Sequence, residues 1–125
     1  MTEDNNLHFD VYHKILNSHV YDVVKNTDIS FLSTSSSNFN NSIYLKREDH
    51  QPVYSFKLRG AYNKIASLAN TELNQGVIAA SAGNHAQGVA YSAMQKSIKA
   101  TIVMPITTPD IKVQSVKAYG ADVVL

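Results

Sequence analysis

Gly76-Val77-Ile78-Ala79-Ala80-Ser81-Ala82-Gly83-Asn84-His85-Ala86-Gln87-Gly88 holds a strand, a polar turn and the start of a helix. Gly76 to Ala80 is a continuous apolar run of strand length, as expected of a parallel strand covered on both faces. The helix after it carries a stripe at Ala86, Val89, Ala90, Ala93 and Met94 and ends near Lys96. Ser81 to His85 lies between them, where first-turn N–H groups have no helical partner. Exposed donors and the helix dipole together attract a carboxylate or a phosphate. Gly83 lets backbone come close to a ligand, and the Asn84 amide can hydrogen-bond a ring oxygen. The same residues also read as an ordinary capped helix with a glycine turn. The stretch is neither a P-loop, since no Gly-Lys-Ser/Thr follows, nor a Gly-x-Gly-x-x-Gly dinucleotide fingerprint. His85 has no acidic partner nearby that would make it a general base.

Outward from this unit the alternation continues. Ala100-Thr101-Ile102-Val103-Met104 predicts the next buried strand. Thr108 as N-cap, Pro109 at the first helical position and Asp110 in the first turn open a helix that stops at Gly120. Asp122-Val123-Val124-Leu125 begins a further strand. Upstream, Ile43-Tyr44-Leu45-Lys46 predicts a short strand, followed by the charged turn Arg47-Glu48-Asp49-His50. Asp49 and His50 form either an acid/base pair or a solvated corner. Strand–helix alternation from Ile43 onward predicts an α/β domain with a mostly parallel sheet and helices on both faces. Ligands of such sheets sit beyond the strands' carboxyl ends, where Ser81–His85 falls.

Ser55-Phe56-Lys57-Leu58-Arg59-Gly60-Ala61 opens another helix, with Ser55 as its N-cap. Its stripe runs through Leu58, Ala61, Tyr62, Ile65, Ala66 and Ala69. Lys57 falls beside that stripe in the first turn, where the helix dipole and partial burial would both disfavour an ammonium. A neutral amine is the nucleophile that forms a Schiff base. The competing reading is a solvated lysine with its stem along the helix.

The lead-in is less informative. Residues 1–10 are expected to fray, and Val11–Val24 predicts one or two short helices. The Ser- and Asn-rich run Ser30–Ser42 predicts a loop, and Asn70–Gln75 a polar connector. His8, His13 and His19 show no metal-ligand spacing, and no residue is assigned to a metal.

At 125 residues and 44% hydrophobic content the chain suffices for one domain with a real core. A net charge of +1 without a basic block gives no case for nucleic acid or an anionic membrane. The absence of cysteine excludes disulfides and thiolate metal sites and fits a reducing compartment. The acidic, polar N-terminus is neither a signal nor a transit peptide, and no apolar run approaches the ~20 residues of a membrane helix. A soluble, cytoplasmic protein is expected.

Ser-Phe-Lys-Leu-Arg-Gly-Ala at 55–61, followed by Ser-Ala-Gly-Asn-His-Ala-Gln-Gly at 81–88, resembles the fold type II (tryptophan synthase β-like) pyridoxal-phosphate enzymes. Lys46-Arg47-Glu48-Asp49-His50-Gln51-Pro52-Val53 is similar to the biosynthetic threonine deaminase branch. The catabolic and serine racemase branches usually carry Thr-Gly before Ser-Phe-Lys. The resemblance covers residues 43–125. Near Thr27 the family's Thr-Pro-Leu is Thr-Asp-Ile here.

The resemblance implies that Lys57 holds pyridoxal 5'-phosphate through a Schiff base, with Phe56 beside the ring and Asn84 on the ring's 3-oxygen. It implies that Ser81, Gly83, Asn84 and His85 receive the carboxylate of L-threonine. The reaction implied is conversion of threonine to 2-oxobutanoate and ammonia, entering isoleucine synthesis. A serine/threonine dehydratase, a serine racemase or a non-catalytic remnant are the alternatives. The family's glycine-rich phosphate loop and its partner for the pyridine nitrogen come later than residue 125. The chain is therefore expected to be a helical and loop lead-in, 1–42, joined to the N-terminal part of the catalytic domain, 43–125, incomplete at its C-terminus. A homo-oligomer is expected when it is complete.

Overall fold

The computed structural model describes residues 3–125, with side chains described from His8 onward. Three strands, β3 (Val77–Ala80), β4 (Ala100–Val103) and β5 (Asp122–Val124), form a parallel sheet in that order. Helix α5 (Asn84–Gln95) crosses from β3 to β4, and α6 (Asp110–Lys117) from β4 to β5. The predicted α/β alternation is thus present, in register Val77 against Ala100 and Thr101 against Asp122.

Alternation of side chains along the strands sorts the sheet into two faces. Val77, Ala79, Ala100, Ile102 and Val123 join the core with Ala86, Val89, Ala90 and Ala93 of α5 and Val113 and Val116 of α6. The opposite face carries Ile78, 73% exposed, with Val103 and Val124. Helices on both faces were expected; among the described residues they cover one. The core is rich in alanine, and α5 can therefore press closely on α3 (Lys57–Ala66), which adds Ala61 and Ile65 to the same cluster.

Upstream of α3 the structure departs from expectation. Helix α1 (Glu3–Leu16) starts where fraying was predicted. His13 and Lys14 in its last turn complement the helix dipole. After a 3-10 turn at His19–Asp22, β1 (Ile29–Phe31) pairs antiparallel with β2 (Tyr44–Lys46) as a separate two-stranded ribbon. The upstream strand therefore stands outside the parallel sheet.

Between the two strands, α2 (Ser33–Phe39) replaces the predicted loop. Serine competes with helical hydrogen bonds through its hydroxyl, but here Ser36 is buried and its Oγ accepts from the N–H of Ile43. Asn40, in the left-handed region at φ 46°, ends the helix. A second cluster of Val24, Val53, Leu58 and Tyr62 binds the lead-in to α3.

Smaller corrections are local. The connector after α3 contains a helical turn, α4 (Asn70–Leu73). α3 ends at Ala66, so Ala69 lies outside its stripe and is exposed; Met94, at the end of the α5 stripe, is 41% exposed. α6 begins one residue later than predicted, with Pro109 as N-cap, and the Thr108 hydroxyl is buried without a partner instead of capping.

Candidate functional site

Lys57 is the first residue of α3, and its N–H donates to Ser55 Oγ at 3.2 Å. Ser55 is 5% exposed and so does cap the helix start, from one residue further out than the usual N-cap, which here is Phe56. The Lys57 side chain is exposed, contrary to the partial burial predicted for it. Its Nζ lies 4.8 Å from the centre of the Phe56 ring, itself 58% exposed. Tyr54, just before this turn, is held at φ 54° with its N–H donating to Gln51 O at 2.8 Å. An aromatic residue in the left-handed region stores strain.

The second motif meets the first at one glycine. A Cβ on Gly88 would stand 3.2 Å from the Lys57 carbonyl oxygen and 3.3 Å from its carbonyl carbon. The absence of a side chain at Gly88 is therefore what brings α5 against the root of Lys57. Asn84 lies four residues before Gly88, on the same helix face and one turn, ~5.4 Å, nearer the N-terminus. The Asn84 side chain is exposed at that terminus. Ser92, fully buried one turn beyond Gly88, donates to its carbonyl at 2.6 Å.

The turn before α5 is fixed from the strand side. The N–H of Ser81 donates to Val103 O at 3.0 Å, and the N–H of Gly83 to Ser81 Oγ at 3.3 Å. Gly83 is the N-cap, in extended backbone, with open space where a Cβ would be. Ser81, Gly83, Asn84 and His85 thus follow each other at one helix start, as predicted. His85 itself lines an apolar cleft of about 290 Å³ with Gly60, Lys64, Ile65 and Val89.

The charged corner sorts unequally. Arg47 and Asp49 form an exposed pair at 2.7 Å, and His50 Nε2 stands 3.7 Å from Asp49. The hydrogen bonds from Arg47 hold the Asp49 carboxyl down at about 2, so it is a local ion pair and no base for His50. Glu48, which the sequence did not single out, is the organised member. Arg59 donates to it through Nε at 2.8 Å and Nη2 at 2.9 Å, and Thr27 Oγ1 donates at 2.8 Å. These donors, Arg59 foremost, lower its pKa to about 2 against the opposing effect of burial. No periodicity signals such a residue, because its partners lie 11 and 21 positions away.

The donor set has the chemistry that a phosphorylated aromatic aldehyde requires. It offers an accessible amine for the aldehyde, a neighbouring aromatic ring, an amide for a phenolic oxygen, and free helix N–H groups for an anion. Residues 20–125 match the family model described as "Pyridoxal-phosphate dependent enzyme". The chain is 55% identical over 111 residues to the L-threonine dehydratase biosynthetic IlvA of Burkholderia multivorans. It is 58% identical over 111 residues to the mitochondrial threonine dehydratase of Saccharomyces cerevisiae. These matches take in 89% of this chain but only 22% and 19% of those proteins, so the chain spans about a fifth of their length. Among solved structures, processed threonine deaminase isoform 2 from Solanum lycopersicum superposes with a TM-score of 0.88 at 48% identity, over all of this chain and 34% of that one. Maize serine racemase follows at 0.80 and 33%, over 84% of this chain and 32% of that one.

Proposed function

Because the chain belongs to the pyridoxal-phosphate-dependent enzyme family, we propose that it forms the lysine-bearing part of an enzyme converting L-threonine to 2-oxobutanoate and ammonia. That reaction would be the first step of isoleucine synthesis. The observation that carries the reading is the contact of Gly88 with the backbone of Lys57, which joins an amine to a helix start able to hold a carboxylate. The higher identity to threonine dehydratases than to a serine racemase supports threonine as the substrate.

Lys57 would hold pyridoxal phosphate, with Phe56 flanking the ring and Asn84 donating to the ring oxygen. When bound, the cofactor supplies an aldehyde for an amine and a ring that delocalises the charge left at the α-carbon. Ser81, Gly83, Asn84 and His85 would orient the substrate carboxylate at the N-terminus of α5, chiefly through backbone N–H groups. Lys57 Nζ, once free, would take the α-proton; its position in solvent-accessible space at the helix start leaves it room to swing.

In this reading residues 43–125 are the N-terminal part of the catalytic domain and residues 1–42 its lead-in. The enzyme would be cytoplasmic and homo-oligomeric. No helix among the described residues is long and apolar enough to cross a membrane.

The decisive experiment completes this chain with the remaining part of the Burkholderia multivorans relative and compares it with its Lys57→Ala variant. The completed chain should absorb visible light with pyridoxal phosphate and form 2-oxobutanoate from threonine faster than pyruvate or D-serine from L-serine. Lys57→Ala should lose the absorbance and the turnover. Near wild-type turnover by Lys57→Ala would refute the assignment. Efficient racemisation of serine would move the chain to the racemase reading.

A further inference from the structure

We propose that Glu48 is a positioning residue for Lys57, acting through Arg59, an inference that rests on the functional reading above. Arg59 lies two residues after Lys57 in the first turn of α3. Its guanidinium grips Glu48 with two nitrogens, at 2.8 and 2.9 Å, a two-point contact that restrains both distance and rotation. Behind Glu48 stands Gln51, 1% exposed, whose Nε2 reaches the same carboxylate at 3.3 Å. Gln51 also clamps Lys25 from both sides, accepting from its N–H and donating to its carbonyl, each at 2.9 Å. Thr27, 8% exposed, closes the set with its hydroxyl on Glu48. Thr27 belongs to the Thr-Asp-Ile segment, and its hydroxyl ties that segment to the Glu48 carboxylate.

The root of Lys57 is thereby held on three sides. Gly88 of α5 meets its carbonyl, Ser55 its N–H, and the Glu48–Arg59 grip the turn that follows. A partly buried ion pair does little for net stability, since desolvation offsets most of its attraction. What a fully satisfied network does is fix one geometry. A lysine with an exposed side chain on a long flexible stem needs that fixed origin more than a buried one would.

The test uses the chain completed with the remainder of the Burkholderia relative, carrying Glu48→Gln or Arg59→Lys. Lysine keeps the charge but loses the two-point fork. The readouts are the circular dichroism of the visible band of bound pyridoxal phosphate, the cofactor content after its release, and the melting temperature. We expect the visible signal per bound cofactor to fall at least twofold in both variants while content and far-UV spectrum hold. A signal per cofactor equal to the unsubstituted chain in both variants would overturn the inference, even if the melting temperature fell. Should Glu48→Gln fail to fold, Thr27→Val decides: it removes one donor to Glu48 and should lower the signal in the same direction, and an unchanged signal would overturn the inference. Absence of the visible band from the unsubstituted chain would overturn the functional reading itself, and this inference with it.

Discussion

Gly88→Ala separates what the α3–α5 contact does for folding from what it does for the site. The added methyl would stand 3.2 Å from the carbonyl oxygen of Lys57, 3.3 Å from its carbonyl carbon and 3.4 Å from the Ala61 Cβ. The start of α3 must therefore retreat by a few tenths of an ångström. Overpacking of this kind costs about 1–3 kcal/mol, while replacing glycine by alanine inside a helix returns about 1 kcal/mol. The net destabilisation is about 0–2 kcal/mol, a fall in melting temperature of less than about 8 °C in the longer completed chain. Catalysis is more sensitive, because a misplacement of about 1 Å can cost about 100-fold. Scaled to about 0.3 Å, turnover should fall about fourfold, a barrier change of about 0.8 kcal/mol. The assay is 2-oxobutanoate release from threonine by the completed chain, beside its thermal melt. Gly88→Val, with a branched side chain in the same space, should lose turnover altogether and melt lower still. Full turnover by Gly88→Ala with a raised melting temperature would refute the idea that this contact sets the position of Lys57.

Asn84→Ala removes one hydrogen bond to a charged or polarised oxygen, worth about 1.5–3 kcal/mol. Cofactor affinity should drop about 10- to 100-fold with an unchanged melt of the cofactor-free chain; full activity at limiting cofactor would leave Asn84 as a mere helix terminus. Stability should depend on acid pH through Glu48, whose carboxyl is held down from 4.5 to about 2 by Arg59. A depressed carboxyl contributes stability above its unfolded value and loses it as pH falls from about 4.5 through about 2. Denaturant titrations across that window should show a loss that Glu48→Gln reduces, leaving the part that the depressed Asp49 carboxyl contributes; a loss of equal size in the variant would assign it all to other carboxylates.

The βα units from Val77 to Val124 were legible because period and punctuation agree there. Apolar runs of strand length alternate with 3.6-period stripes, and Gly76 and Gly120, at φ 81° and 80°, mark turns that only glycine takes easily. The amine and the helix start were legible for the same reason, since each sits at a boundary that local chemistry announces. Their meeting was not, because it depends on what Gly88 lacks and on a helix pair 31 residues apart from Lys57 to Gly88. Ser33–Phe39 was misread because serine's local preference was overruled by one tertiary bond, from Ile43 to Ser36. Glu48 was hidden inside a charged run whose other members, Arg47 and Asp49, do behave as a solvated corner.

The sheet face bearing Ile78, Val103 and Val124 has a consequence for how the chain responds to denaturant. Its accessible surface is 8676 Å², whereas a compact monomer of this mass would show about 6,600 Å². The chain therefore conceals less surface on folding than a closed domain of equal length. Denaturant slopes and unfolding heat capacity both scale with the surface newly exposed. Both should be shallow for residues 1–125, giving a broad unfolding transition. Anything that packs on the Ile78 face would bury apolar surface there, and so would steepen the transition as well as shift its midpoint.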